Sequence, residues 1–242
     1  MDNCIYNLIY TKFNEEFGRE NYFSYNLQYP SFYNFRNTYF QVNQSILPNI
    51  SSIIKTDINT FRQDLHQEEI NYNTSAPENN LPNRNYKAVS NYAVTFNKNH
   101  ILSTVVSIMG FSSDGGPEYN DLYNYNFDLL TGNRISLKDI FNKNVDYLKV
   151  ITDYVNYKIN QDKANYYSDA VVDIPVDQAF YLTDDGIVIY FGVDEIAPES
   201  FGIPKFKMEF SKFAPYINPR FYCNATNIFL NNRNFFKQRN YK

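Results

Sequence analysis

Near residue 30 the hydrophobic period of this chain changes. Phe23, Tyr25, Leu27 and Tyr29 alternate with other residues, the period-two pattern of a strand. Leu47, Ile50, Ile54, Ile58, Phe61 and Leu65 then recur at the three-four spacing of one helical face. A long amphipathic helix that follows a strand must lay its apolar stripe on a sheet, because neither element buries its face alone. The helical period covers about residues 37–70, and Pro48 either splits it or opens a second helix in its first turn. Pro30 is expected to end the strand before it. The Asn- and Pro-rich run at 71–85 reads as a loop.

Strand patterns also occupy 5–11, 86–96, 101–111 and 122–130, with a polar turn at 97–99 and a Gly-containing loop at 112–117. Ser136 and Asp139 stand at capping-box spacing before a short helix ending near Phe141. A second long helix is expected over 145–161, with Leu148, Ile151, Val155 and Ile159 inward. Residues 179–182 and 187–191 form a hairpin across Asp184, Asp185 and Gly186, and 203–210 is a last strand. The fold class is therefore α+β: an antiparallel sheet with two helical blocks, in two closely packed lobes.

Composition excludes several functions. A net charge of -4 argues against a general nucleic-acid binder. Two cysteines, Cys4 and Cys223, exclude a disulfide-dense scaffold and a cysteine-based zinc site; free thiols are expected, unless the termini are adjacent and the two meet. His66 and His100 are the only histidines, too few for His-rich metal chemistry. His66 and Glu69 supply fewer ligands than zinc ordinarily takes. No apolar run approaches the roughly 18 residues of a membrane span, and no secretory leader opens the chain. A cytoplasmic or spore-associated protein is expected, unless another export route operates. The high Tyr, Phe and Asn content is spread along the chain and reads first as an AT-rich coding sequence, second as a recognition surface.

The motif Thr183-Asp184-Asp185-Gly186 is similar to the Thr-Phe-Asp-Asp-Gly signature of polysaccharide deacetylases. That chemistry needs a His-x-x-x-His pair, which two distant histidines do not supply, so the residues read as a hairpin turn. There is no nucleophile elbow, phosphate loop or dinucleotide fingerprint. Asp194, Glu195 and Glu199 form an acidic cluster that leaves open a carboxylate-based glycan hydrolase. From Ser211 to Lys242 the chain has cations and aromatics and no acid. This is either a solvated tail or a patch for an anionic surface, as in a spore or cell-surface structural protein.

The segment YNFDLLTGNRISLKDIF at 125–141 and FYLTDDGIVIYFGVDEIAPESFGIP at 180–204 resemble a bacterial pair of domains of unknown function. The pair is shared by the lysozyme-sensing anti-sigma-V factor RsiV and the non-catalytic N-terminal region of the peptidoglycan deacetylase PdaC. Tyr29-Pro30 and the following helix resemble the companion N-terminal domain. The chain departs from the pattern at Gly115-Gly116-Pro117-Glu118, where Gly-Gly-Ala-His is common, and at Glu199-Ser200-Phe201, where a tyrosine-rich run is common. The resemblance implies lobes at 1–100 and 101–217 with a basic tail at 218–242. It implies a recognition or sensor-like module with no cofactor and no metal, whose partner is a protein such as lysozyme or a peptidoglycan fragment. The expected contact residues are Asp114, Gly115, Gly116 and Tyr119 in the central loop and Pro198, Glu199 and Phe201 after the last hairpin.

Overall fold

The computed structural model describes residues 4–34, 45–113 and 117–222, with Pro117 and Glu118 described by backbone alone. A five-stranded sheet has the order β1 (Ile9–Glu20), β2 (Phe23–Asn34), β3 (Tyr86–Lys98), β4 (Ile101–Ser112) and β5 (Pro117–Asp128). Its neighbours are antiparallel except β2 and β3, which run parallel from Phe23 opposite Tyr86 to Leu27 opposite Ser90. The parallel pair follows from the helix α1 (Ile46–Ser75), which carries the chain back to the end of the sheet where β2 began.

The stripe Leu47, Ile50, Ile54, Ile58, Phe61 and Leu65 is buried on this sheet, against Phe23, Leu27, Phe32, Leu102 and Val106. Each such side chain contributes roughly 2 kcal/mol by leaving water. Pro48 lies in the first turn of α1, where a missing N–H costs nothing; the part of the expected helix at 37–44 lies outside the described residues.

Several boundaries correct the sequence reading. Pro30 does not end β2: it stands opposite Phe13 in the ladder with β1. The ladder to β3 ends at Leu27, so beyond that point β2 is paired on one side only, where a residue lacking N–H is tolerated. The run 71–85 is helical to Ser75 because Asn73 ties the last turns, donating to Glu69 Oε1 (2.7 Å) and to the Arg84 carbonyl (2.9 Å). β1 runs on to Glu20, through charged residues that an edge strand accepts. Asn99 and His100 make the β3–β4 turn, both at positive φ, as a tight hairpin requires.

The second sheet is antiparallel: β6 (Phe180–Thr183), β7 (Gly186–Tyr190) and β8 (Lys205–Glu209). It packs Leu182, Ile187, Ile189, Phe206 and Met208 against Ile151, Val155 and Ile159 of the helix α3 (Tyr147–Gln161). Before α3, the short helix α2 (Leu137–Ile140) opens where the Asp139 carboxylate accepts from the Ser136 N–H and hydroxyl (2.8 and 2.7 Å). The fold is α+β as expected, and no described helix is long and apolar enough to cross a membrane.

Buried polar groups fasten one sheet to the other. Asn126 Nδ2 donates to the Phe180 carbonyl (2.8 Å), and the Leu182 N–H donates to Ser103 Oγ (3.1 Å). Tyr190 Oη donates to the Leu122 carbonyl (2.6 Å). At the lower corner Asn99 accepts from the Ile5 N–H (2.9 Å) and donates to the Arg220 carbonyl (3.1 Å), which brings both ends of the described chain together. Cys4, expected from sequence to be a free thiol unless the termini met, is disulfide-bonded beside this turn; Cys223 lies outside the described residues.

Candidate functional site

A cleft of about 1000 Å³ opens where α1, the first half of β5 and the loop after β7 meet. Its helix wall is Phe61, Asp64, Leu65 and Glu68. The helical period brings these four to one side, with the apolar pair beneath and the acidic pair at the rim. Tyr119, Asn120, Asp121 and Tyr123 of β5 form the floor, and Asp194, Glu199 and Ser200 the opposite rim. Asp64, Glu68, Asp121, Asp194 and Glu199 all line it, with no Lys or Arg among the described lining residues.

Tyr119 is the centre of the contacts. Its hydroxyl donates to Glu68 Oε2 (2.7 Å), and its ring meets Phe61 edge-on at 6.4 Å. Gly110 lies beneath, where an added Cβ would stand 2.9 Å from the Tyr119 ring and 3.0 Å from Leu65. Burial pushes the Tyr123 hydroxyl pKa up, and the charges of Asp121, Asp57 and Asp64 push it the same way. Tyr190, behind the floor, is pushed up to about 12, chiefly by burial. A smaller extension of about 400 Å³ continues from Tyr123 past Asp57 and Tyr125 to Arg134. Arg134, stacked over Tyr125 and Phe127, is the first cation met along this path.

The expected contact residues fall in different places. Asp114, Gly115 and Gly116 lie outside the described residues. Tyr119 belongs to β5 and not to a loop, because β5 starts at Pro117. Tyr119 and Glu199 come together in the cleft. Pro198 is exposed ahead of the single helical turn Glu199–Phe201, and Phe201 leans on the Tyr166 ring at 5.4 Å, 40% exposed. Asp64, Glu68 and Asp121 were not singled out from sequence; the four-residue spacing of Asp64 and Glu68 beside the apolar stripe is the signal that marks them.

Of the acidic cluster, Asp194 lies at positive φ and accepts from the Tyr167 hydroxyl. Glu195 turns back to cap the Gly192 N–H (2.6 Å). Asp184 and Asp185, the residues of the deacetylase-like motif, are both ion-paired: Asp184 with Lys98 (2.8 Å) and Asp185 with Lys207 (2.5 Å). His66 stacks on Phe23 at 4.5 Å and faces Glu69, far along the chain from His100 in the β3–β4 turn. No group of three or more potential metal-ligating side chains occurs among the described residues.

A parallel β2–α1–β3 crossover in an otherwise antiparallel sheet, joined to a helix-backed three-stranded sheet, is an architecture shared with solved proteins of the DUF3298 family. One, from Bacteroides fragilis NCTC 9343, superposes with a TM-score of 0.62 at 14% identity, covering 90% of this chain and 95% of that one. Another, from Pseudomonas aeruginosa PAO1, gives a TM-score of 0.58 at 14% identity over 90% and 97% of the two chains. In sequence, residues 18–116 match the family model described as "Deacetylase PdaC". Residues 138–211 match "Protein of unknown function (DUF3298)", so both parts of the domain pair that the sequence resembles have a match in this chain. No match is found among curated proteins.

Proposed function

We propose that this chain is a non-catalytic recognition module and that the acidic cleft is its binding face. The observation that carries the reading is the one-sided chemistry of the lining: Asp64, Glu68, Asp121, Asp194 and Glu199 around Tyr119 and Phe61, with no cation among them. Such a surface attracts a partner that brings Lys or Arg, and the aromatic pair offers the flat contact on which interfaces concentrate their energy. A basic protein surface fits better than a peptidoglycan fragment, whose own carboxylates would meet these. Lysozyme, the partner implied by the resemblance to RsiV, is a basic protein, and it is the partner we assign.

Calorimetric titration of the chain with lysozyme, and separately with soluble peptidoglycan fragments, tests the reading. Binding of lysozyme that weakens steeply between low and physiological salt is expected. The triple variant D64N/D121N/E199Q should lose most of that affinity while keeping its unfolding midpoint. Binding of the fragments alone, or lysozyme binding that the triple variant leaves intact, would overturn it.

A further inference from the structure

The opposite edge of the five-stranded sheet carries a different surface. β1 is paired through all of its residues with β2 on one side, and among the described residues no strand pairs with its other side. A twelve-residue open edge is long for a sheet that is not paired further. Glu16 faces α1, where its carboxylate meets Lys55 (2.7 Å) and Tyr29, so its neighbours Glu15 and Phe17 face away from the helix. Glu15, Phe17 and Arg19 therefore form a row on the open face; all three are exposed, and Phe17 at 76% is more so than any other large aromatic on β1.

We propose that β1 pairs with β1 of a second copy of this chain, antiparallel about a two-fold axis at Phe17. The row Glu15-x-Phe17-x-Arg19 is complementary to itself under that operation. Phe17 meets the other copy's Phe17, and Glu15 and Arg19 of each copy face Arg19 and Glu15 of the other. The interface is isologous, so the Glu15–Arg19 contact occurs twice, on either side of the single Phe17–Phe17 contact on the axis. Axes at Glu15, Glu16 or Arg19 would set a like charge against itself. An axis at Asn14 would set Lys12 against Glu16, whose charge Lys55 already meets (2.7 Å), whereas Glu15 holds only a hydrogen bond from the neutral Gln28 side chain (3.2 Å). The joined sheets would continue across the axis and remove the open edge from both copies. This goes beyond the cleft reading and uses the other end of the sheet.

Sedimentation equilibrium of the full chain across a wide concentration range tests the proposal. A monomer–dimer equilibrium is expected in the wild type. E15R and R19E should each weaken the dimer by about tenfold or more, since each sets two like-charge pairs across the axis. The double variant E15R/R19E exchanges the charges and should restore it. Both positions are exposed, so thermal unfolding of the single variants should match the wild type and separate lost pairing from lost folding. A monomer at every concentration, or a dimer indifferent to the single charge reversals, would overturn the proposal.

Discussion

Ser103 and Asn126, on adjacent strands β4 and β5, share a fully buried hydrogen bond of 2.7 Å, and both also reach the backbone of β6: Ser103 Oγ accepts from the Leu182 N–H and Asn126 Nδ2 donates to the Phe180 carbonyl. One neutral pair thus joins both sheets. A hydrogen bond between uncharged groups adds about 1 kcal/mol, but leaving its buried partners unpaired costs more. Asn126→Leu takes the Asn126 donor from the Phe180 carbonyl and the acceptor from the Ser103 hydroxyl, which keeps the hydrogen bonds it accepts from the Leu182 N–H and the Thr95 hydroxyl. It should lower unfolding free energy by about 3 kcal/mol in urea. Ser103→Ala removes the smaller group and should cost less. The two together should cost less than their sum, because they share one network.

The ion pair of Lys98 and Asp184 is asymmetric, and its variants should be too. The Lys98 side chain is 9% exposed and lies over the Tyr6 ring, while the Asp184 side chain is 65% exposed. Asp184→Asn leaves a nearly buried ammonium without its counter-charge and should cost about 1 to 2 kcal/mol. Lys98→Met leaves only a solvated carboxylate and should cost about half that or less. Denaturant midpoints of the two variants decide it; a larger loss for Lys98→Met would mean that the lysine stem, and not its charge, holds the corner.

How much of this was legible in sequence depends on what each residue answers to. The α1 stripe from Leu47 to Leu65 was readable because burial on one face forces a three-four period. The α3 stripe and the turn at Asp184–Asp185 were readable for equally local reasons. Pro30 misled because local steric rules do not reveal that the β3 ladder stops at Leu27. The cleft was half legible: Tyr119 and Glu199 stood out, while Asp64, Glu68 and Asp121 looked like ordinary solvated acids. Only the packing of α1 beside β5 gives them a common cleft, and that is a long-range fact that no window of sequence contains. Ser103 and Asn126 carry no sequence signal at all; each is an ordinary polar residue in a strand.

Acid should weaken the protein through three carboxylates. Burial raises the Asp128 pKa, but the Arg220 hydrogen bond (2.7 Å) and charge, together with backbone hydrogen bonds from Leu130 and Thr131, hold it below the usual value. Lys55 and Tyr29 lower Glu16, and Lys207 lowers Asp185. A carboxyl with a depressed folded pKa binds fewer protons folded than unfolded. Its stabilisation is therefore complete above the unfolded value of about 4 and disappears as pH falls through the folded one. Melting temperature should hold between neutral pH and about 5 and then fall. Arg220→Gln should lower the neutral value and make the acid decline shallower. An unchanged slope in that variant would show that Arg220 contributes nothing to it, leaving Asp128 to its backbone donors.

Two glycines should respond differently to alanine, although both are tightly packed. A Cβ on Gly186, the first residue of β7, would stand 2.6 Å from the Met208 carbonyl oxygen. That atom belongs to the β8 backbone, which pairs with Gly186 through Glu209 and cannot retreat without breaking the ladder. Gly186→Ala should cost about 3 kcal/mol and shift the three-stranded sheet. A Cβ on Gly110 meets only side chains, the Tyr119 ring and the Leu65 methyls. Leu65 is buried against the sheet, but Tyr119 is 45% exposed and its ring can yield toward the cleft mouth. Gly110→Ala should therefore cost about 1 kcal/mol, less than Gly186→Ala, while lengthening the Tyr119–Glu68 hydrogen bond. If the cleft binds through Tyr119, that modest loss of stability should come with a clear loss of affinity, which calorimetry on the same variant would show.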